Sequence, residues 1–185
     1  MDVKRRIDQK RVLDVAVALA DEHGFEAVTL ASVAEKLGIR IPSLYNHVAG
    51  LQGLRYLMRV WGLQQLTKQV RNAAVGKAGD DAIFAIADAY RAFALAHPGV
   101  YPATLKAPAD DETALAEVAE ELLGILKVIL EPYSAESDSI VHMLRALRSL
   151  MHGFVDLEIA GGFGIPLDRD ESFRQLIERF VRSLG

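Results

Sequence analysis

Thr29-Leu30-Ala31-Ser32-Val33-Ala34-Glu35-Lys36-Leu37-Gly38-Ile39-Arg40-Ile41-Pro42-Ser43-Leu44-Tyr45-Asn46-His47-Val48 is the stretch on which the fold turns. Thr29 is a good N-cap for a short helix over 30–37, because its hydroxyl can accept from an unpaired N–H of the first turn. Gly38 stops that helix. Pro42 then opens a second short helix over 41–47, at a first-turn position where a missing N–H costs nothing. Two short helices joined by a glycine turn are the core of a helix-turn-helix unit. The second carries Arg40, Ser43, Tyr45, Asn46 and His47 around an inward Leu44. Small and polar side chains in that arrangement suit insertion into a major groove.

Outward from this stretch the pattern is helical throughout, with strand signals nearly absent. A first helix is expected over 4–23, with Val12, Val15, Ala16, Leu19 and Ala20 as its buried stripe and Gly24 as a left-handed cap. Gly50 and Gly53 are expected to loosen the chain before a long fourth helix carrying Leu54, Leu57, Met58 and Trp61. A fifth is expected over 80–96, ended by His97-Pro98-Gly99. Residues 100–108 read as a connector with one helical turn, followed by a helix led by Asp110-Asp111-Glu112 and closed by Pro132. Ser134 is expected to cap a long helix with two apolar stripes. Asp168 with Glu171 resembles a capping box at the start of the last one. The fold class is all-α, about nine helices. The expected division is a helix-turn-helix domain over 1–50 and a helical effector-binding and dimerisation domain over 51–185.

The chain has 185 residues, no cysteine and a net charge of −4. Disulfide and thiol chemistry are excluded, and a reducing, cytoplasmic setting is expected. No apolar run is long enough for a bilayer, so no membrane partner is expected. Charge is unevenly placed. Nine Lys/Arg stand against seven Asp/Glu through Arg59, and twelve against eighteen from Val60 onward. A mildly basic head on an acidic body fits a protein that meets DNA at one end.

The quoted stretch resembles the DNA-binding domain of the TetR family of repressors. The residues Leu150-Met151-His152-Gly153-Phe154-Val155-Asp156-Leu157-Glu158, with Gly161-Gly162-Phe163 and Ser172-Phe173, are similar to the C-terminal domain of its WHG-type branch. The resemblance implies a homodimer that binds double-stranded DNA. It implies that Thr29 and Tyr45 touch phosphates and that Ser43 is a contact. It implies that Arg40, Ile41 and Asn46 sit where sequence preference is set, with Pro42 among the DNA-binding residues and His47 at the end of the recognition helix. A lysine that commonly follows the histidine in this family is missing. Ala49-Gly50-Leu51-Gln52 stands there instead, with Arg55 the next cation. Lys4, Arg5 and Arg6 are further phosphate donors at the rim.

For the body, Trp61, Tyr90, Phe93 and Tyr101, with Met143 and Leu147, are candidates to line the pocket of an unidentified small-molecule effector, apolar or amphipathic. Taken one at a time, each reads first as a core side chain. Leu150, Phe154, Leu157, Phe173, Phe180 and Leu184, on the last two helices, are candidates for the dimer interface. His142 and His152 lie about 15 Å apart along one helix and cannot share a metal. No metal site or cofactor is expected. The expected function is a ligand-responsive repressor released from a near-palindromic operator, and not an enzyme. A helical carrier or enzyme using the body pocket is the alternative, and a dimerisation scaffold with a vestigial head is a third reading. No nucleophile–base pair, metal triad or phosphate loop supports the enzyme.

Overall fold

The computed structural model describes residues 7–134 and 136–184. Among these there are eight α-helices and three single 3-10 turns, and no strand. The helices are α1 (Gln9–His23), α2 (Leu30–Leu37), α3 (Ile41–Leu44), α4 (Gly50–Ala74), α5 (Gly79–Ala96), α6 (Thr113–Leu130), α7 (Ser137–Ile159) and α8 (Arg169–Arg182). The connector expected to hold one helical turn holds it as a 3-10 turn at Tyr101–Thr104. That turn accounts for the difference between nine expected helices and eight.

Several boundaries differ from the sequence expectation for local reasons. The first helix begins at Gln9 because Asp8, in extended conformation, accepts from the Arg11 N–H and caps it there. Gly24 ends it with φ 92° and ψ 153°, a positive-φ extended residue and not a left-handed helical cap. The fourth helix starts at Gly50, and Gly53 lies inside it. A Cβ on Gly53 would stand 2.9 Å from that of Ala49, so this glycine serves packing. The helix expected after Ser134 starts at Ser137. The Ser134 hydroxyl accepts from the Glu136 N–H and so belongs to the preceding turn.

Two apolar cores result, and α4 belongs to both. Val12, Ala16, Val33, Leu44, Leu54 and Met58 meet in the first, near the N-terminus. Leu63, Leu66, Ile86, Leu130, Leu147, Phe173 and Ile177 are among those that meet in the second. The 25 residues of α4 make a rod about 37 Å long, enough to run through both. In the body α4 packs on α5 and α6, α5 packs on α7 and α8, and α7 packs on α8.

Candidate nucleic-acid interface and body cavity

Thr29 caps α2 through a reciprocal pair. Its hydroxyl accepts from the Ser32 N–H at 3.1 Å, and its own N–H donates to the Ser32 hydroxyl at 3.1 Å. Gly38, at φ 67° and ψ 33°, adopts the left-handed cap. Ile39 N–H then returns to the Ala34 carbonyl at 3.0 Å, closing the turn. The third helix is shorter than expected. Regular α-helix ends at Leu44, and residues 45–47 continue as a turn in which the His47 N–H reaches back three residues to Leu44. Leu44 is fully buried and Val48 nearly so, which pins the segment at two points. The Gln9 side chain adds a third, donating to the His47 carbonyl at 3.0 Å.

The opposite side faces outward. Arg40, Ile41, Pro42, Ser43, Tyr45 and Asn46 are exposed, as is Thr29, and His47 is half-buried. Tyr45 is 60% exposed, with its ring edge 4.0 Å from where a Cβ on Gly50 would stand, at the first residue of α4. That end of α4 has no side-chain cap, so its first-turn N–H groups are unclaimed by side chains. Arg55, the next cation after the missing lysine, is engaged within the head. Its guanidinium donates to the Glu26 carbonyl, pairs with the Glu26 carboxylate at 2.9 Å and lies over the Phe25 ring. Lys4, Arg5 and Arg6 lie outside the described residues.

The body encloses a cavity of about 400 Å³ between α4, α5, α6, α7 and the loop at 104–108. Leu66, Ile86, Leu122, Leu126, Leu144 and Met151 are among its walls. Of the six residues expected there, Tyr90 and Leu147 line it and the other four do not. Phe93 and Tyr101 are fully buried in the core, Trp61 packs edge-on to His97, and Met143 packs against the body core. Aromatic residues drew the expectation, whereas the walls are aliphatic and a large share comes from α6. The sequence signal for that wall was Ala119, Leu122 and Leu126 at helical spacing. Tyr90 hydrogen-bonds the Tyr101 hydroxyl at 2.8 Å, which in turn meets His152 Nδ1 at 2.8 Å. Burial, above all, pushes both phenols upward in pKa, so they stay protonated and serve as neutral hydrogen-bonding groups. Among the described residues, no group of three or more His, Asp or Glu is placed to hold a metal ion, and no helix is long and apolar enough to cross a membrane.

The residues expected at a dimer interface separate into two sets. Phe173 and Phe180 are buried in the body's own core and offer nothing to a partner chain. Leu150, Phe154 and Leu184 are half-buried, and Leu157 is 51% exposed. Leu157 shares an outer flank of α7 with Ala146, Leu150 and Gly153, which follow helical spacing. Gly153 meets nothing in its own chain within 4 Å of a built Cβ. It is therefore not a close-packing glycine inside the chain.

A seam that sequence reasoning missed joins head and body. Asp21, near the end of α1, accepts from His97 Nδ1 at 2.8 Å and from the N–H groups of Gly99 and Val100 at 3.1 and 3.3 Å. Gly99 comes so close that a Cβ would stand 1.8 Å from the Ala20 carbonyl oxygen. Gly62 of α4 is pressed in the same way by Val100 and Thr104. Thr104 is also a cavity wall. One short segment, residues 97–104, thus touches α1 at one end and the cavity at the other.

Two family models match this chain. The "Bacterial regulatory proteins, tetR family" model covers residues 12–48, and the "Tetracyclin repressor-like, C-terminal domain" model covers residues 83–180. YobS of Bacillus subtilis, described as an uncharacterized HTH-type transcriptional regulator, is 35% identical over 96% of this chain and 93% of its own length. Rv0681 of Mycobacterium tuberculosis, described in the same words, is 29% identical over 97% of this chain and 82% of its own. Among solved structures, BioQ with its double-stranded DNA operator superposes with a TM-score of 0.71 at 18% identity, covering 97% of this chain and 98% of that one. An exposed and triply anchored recognition segment, an all-helical body and these matches lead to one conclusion: the chain belongs to the TetR family of bacterial regulatory proteins, DNA-binding regulators of transcription.

Proposed function

We propose that this chain is a ligand-responsive repressor that works as a cytoplasmic homodimer and leaves a near-palindromic operator when a small molecule fills the body cavity. The observation that carries the reading is the outward face from Arg40 to Asn46, held rigid from behind by Leu44 and Val48. Ser43, Tyr45 and Asn46 would present donors to base edges or phosphates, and Ile41, 40% exposed, would meet a thymine methyl. Thr29, Tyr45 and the uncapped start of α4 would take phosphates on either side. The working units are a head over residues 1–50 and a body over 51–185, with α4 running between them.

The response is a population shift. A two-fold dimer presents two recognition segments that must match major grooves about 34 Å apart. A ligand that favours a body shape in which α4 and residues 97–104 move would tilt the heads out of that spacing. A preference of about 3 kcal/mol for that shape weakens operator binding roughly a hundredfold. Selection from random-sequence duplexes should enrich a near-palindrome, with affinity falling linearly in log–log form as salt rises. Replacing Tyr45 and His47 together with alanine should lower affinity at least about tenfold and leave the dimer intact. A salt-independent interaction, or unchanged binding in that variant, would remove the basis for this function.

A further inference from the structure

The body is acidic overall, yet the mouth of its cavity is not. Lys106, Lys127, Arg145 and Arg148 all lie on the lining, and no aspartate or glutamate does. They come from three separate places: the loop after the 3-10 turn, the last turns of α6, and one flank of α7. From Val60 onward the chain holds twelve Lys/Arg and eighteen Asp/Glu. A random draw from that set would seldom put four cations and no anion around one opening. None of the four makes an ion pair within 4 Å among the described residues. Arg148 donates to the Leu105 carbonyl at 2.8 Å, which spends one of its five N–H groups. The Ala109 N–H above all, and then Arg59, hold the Glu112 carboxyl charged, and Lys106 adds only the weakest pull. Behind the cations the walls are aliphatic, and the Tyr90 hydroxyl at the floor is already bonded to Tyr101.

We propose that the cavity takes an amphipathic anion, an apolar chain or ring system that enters tail first and leaves its carboxylate or phosphate head among Lys106, Lys127, Arg145 and Arg148. This rests on the reading of the cavity as the effector site. The apolar depth drives entry by removing hydrocarbon from water. The ring of unpaired cations selects the head group, since guanidinium and ammonium donors bind anions through charge-assisted hydrogen bonds that a neutral hydroxyl cannot match. An ammonium head group is repelled by the same ring.

Isothermal titration calorimetry of the full chain tests this with four probes each built on a ten-carbon chain: decanoate, decyl phosphate, decanol and decyltrimethylammonium, each below its micelle threshold. Decanoate or decyl phosphate should bind at least about tenfold more tightly than decanol, with the cationic probe weakest. Either anion doing so supports the proposal, and the tighter one identifies the head group. Lys127→Gln with Arg145→Gln, whose native side chains hydrogen-bond nothing described, should melt like the native chain and bring the anions to within about threefold of decanol. Equal binding of decanoate, decyl phosphate and decanol in the native chain, or an anion preference that survives intact in that variant, overturns the proposal and leaves the effector site standing. Leu126→Trp, or Leu122→Phe should the first not fold, fills the cavity. No binding by any probe, or binding indifferent to that filling, overturns the effector site and the proposal together.

Discussion

Arg91 of α5 reaches Glu158 of α7 through two parallel hydrogen bonds of 2.8 Å and Asp170 of α8 through a third. Its guanidinium also lies over the rings of Phe173 and Phe154 at 5.2 and 5.7 Å. The side chains of Arg91 and Glu158 are 13% and 7% exposed, so this pair sits where water cannot replace a lost partner. Asp170 is 84% exposed and adds little. The hydrogen bond that Arg91 donates to Glu158 is the largest of the effects that raise the Arg91 pKa further above its ordinary value, so the cation is permanent. Arg91→Ala should therefore cost about 3–5 kcal/mol by leaving Glu158 buried and unpaired. A fall in urea midpoint at constant slope measures it. Arg91→Met combined with Glu158→Leu should recover most of the loss, since removing both charges leaves neither stranded. A single-variant cost below about 1 kcal/mol would mean that the pair behaves as a surface bridge. Sequence offered no route to this contact, because the partners lie 67 positions apart and Arg91 sits in no motif.

Helices that carry their own punctuation were legible from the sequence. The Thr29 cap, the Gly38 stop and the Asp168 cap follow from short-range chemistry, and each occurs where the residue type demands it. The bounds of α1, α4 and α7 were less legible, because a cap forms where the backbone angles allow it and glycine serves packing as readily as breaking. Contacts that depend on tertiary approach, such as Asp21 with residues 97–100, were not legible at all. Asp21 looks like any acidic residue near a helix end, and only the fold brings the turn after α5 to it. That seam gives an element-scale prediction. Asp21→Ala should leave the affinity of the cavity for decanoate within about twofold while cutting the effect of decanoate on operator binding at least about tenfold. Unchanged induction would place the transmission path elsewhere, in α4 itself. The start of α8 gives another. Hydrogen bonds from Arg174, and then Gln175, hold the Glu171 carboxyl down to about 2 from 4.5. A carboxyl with a lowered folded pKa adds stability above its unfolded value, and that contribution drains away as pH falls from 4.5 towards 2. Glu171 is exposed, so the effect is small and weakens with salt. Thermal melts followed by circular dichroism across that range should show a shallower decline for Glu171→Gln than for the native chain, and the gap should close at high salt.

At the scale of the whole molecule, the two flanks of α7 divide the labour proposed for the body. Val141, Arg145 and Arg148 turn towards the cavity, whereas Ala146, Leu150, Gly153 and Leu157 form the outer side. Ile165 and Leu167, in the turn before α8, are further exposed apolar residues, at 75% and 73% exposure. A two-fold partner laid on this side sets the same patch against itself, with Gly153 allowing close approach. A stable dimer needs about 1,200 Å² or more removed from water, which these surfaces together with the outer side of α8 must supply. Leu157→Lys should then give a folded monomer, because the side chain leaves solvent only when the partner arrives. Phe180→Lys should unfold the body instead, because Phe180 is 5% exposed within its own chain and its charge would have no water to reach. Sedimentation and circular dichroism separate the two outcomes. The Leu157→Lys monomer should keep its head and bind a half-site, with a salt slope about half that of the dimer on the full operator, since it neutralises half the phosphates. A Leu157→Lys chain that still sediments as a dimer and still binds the full operator with the native slope would move the interface off α7, and would take with it the argument that this helix serves the cavity on one flank and the partner on the other.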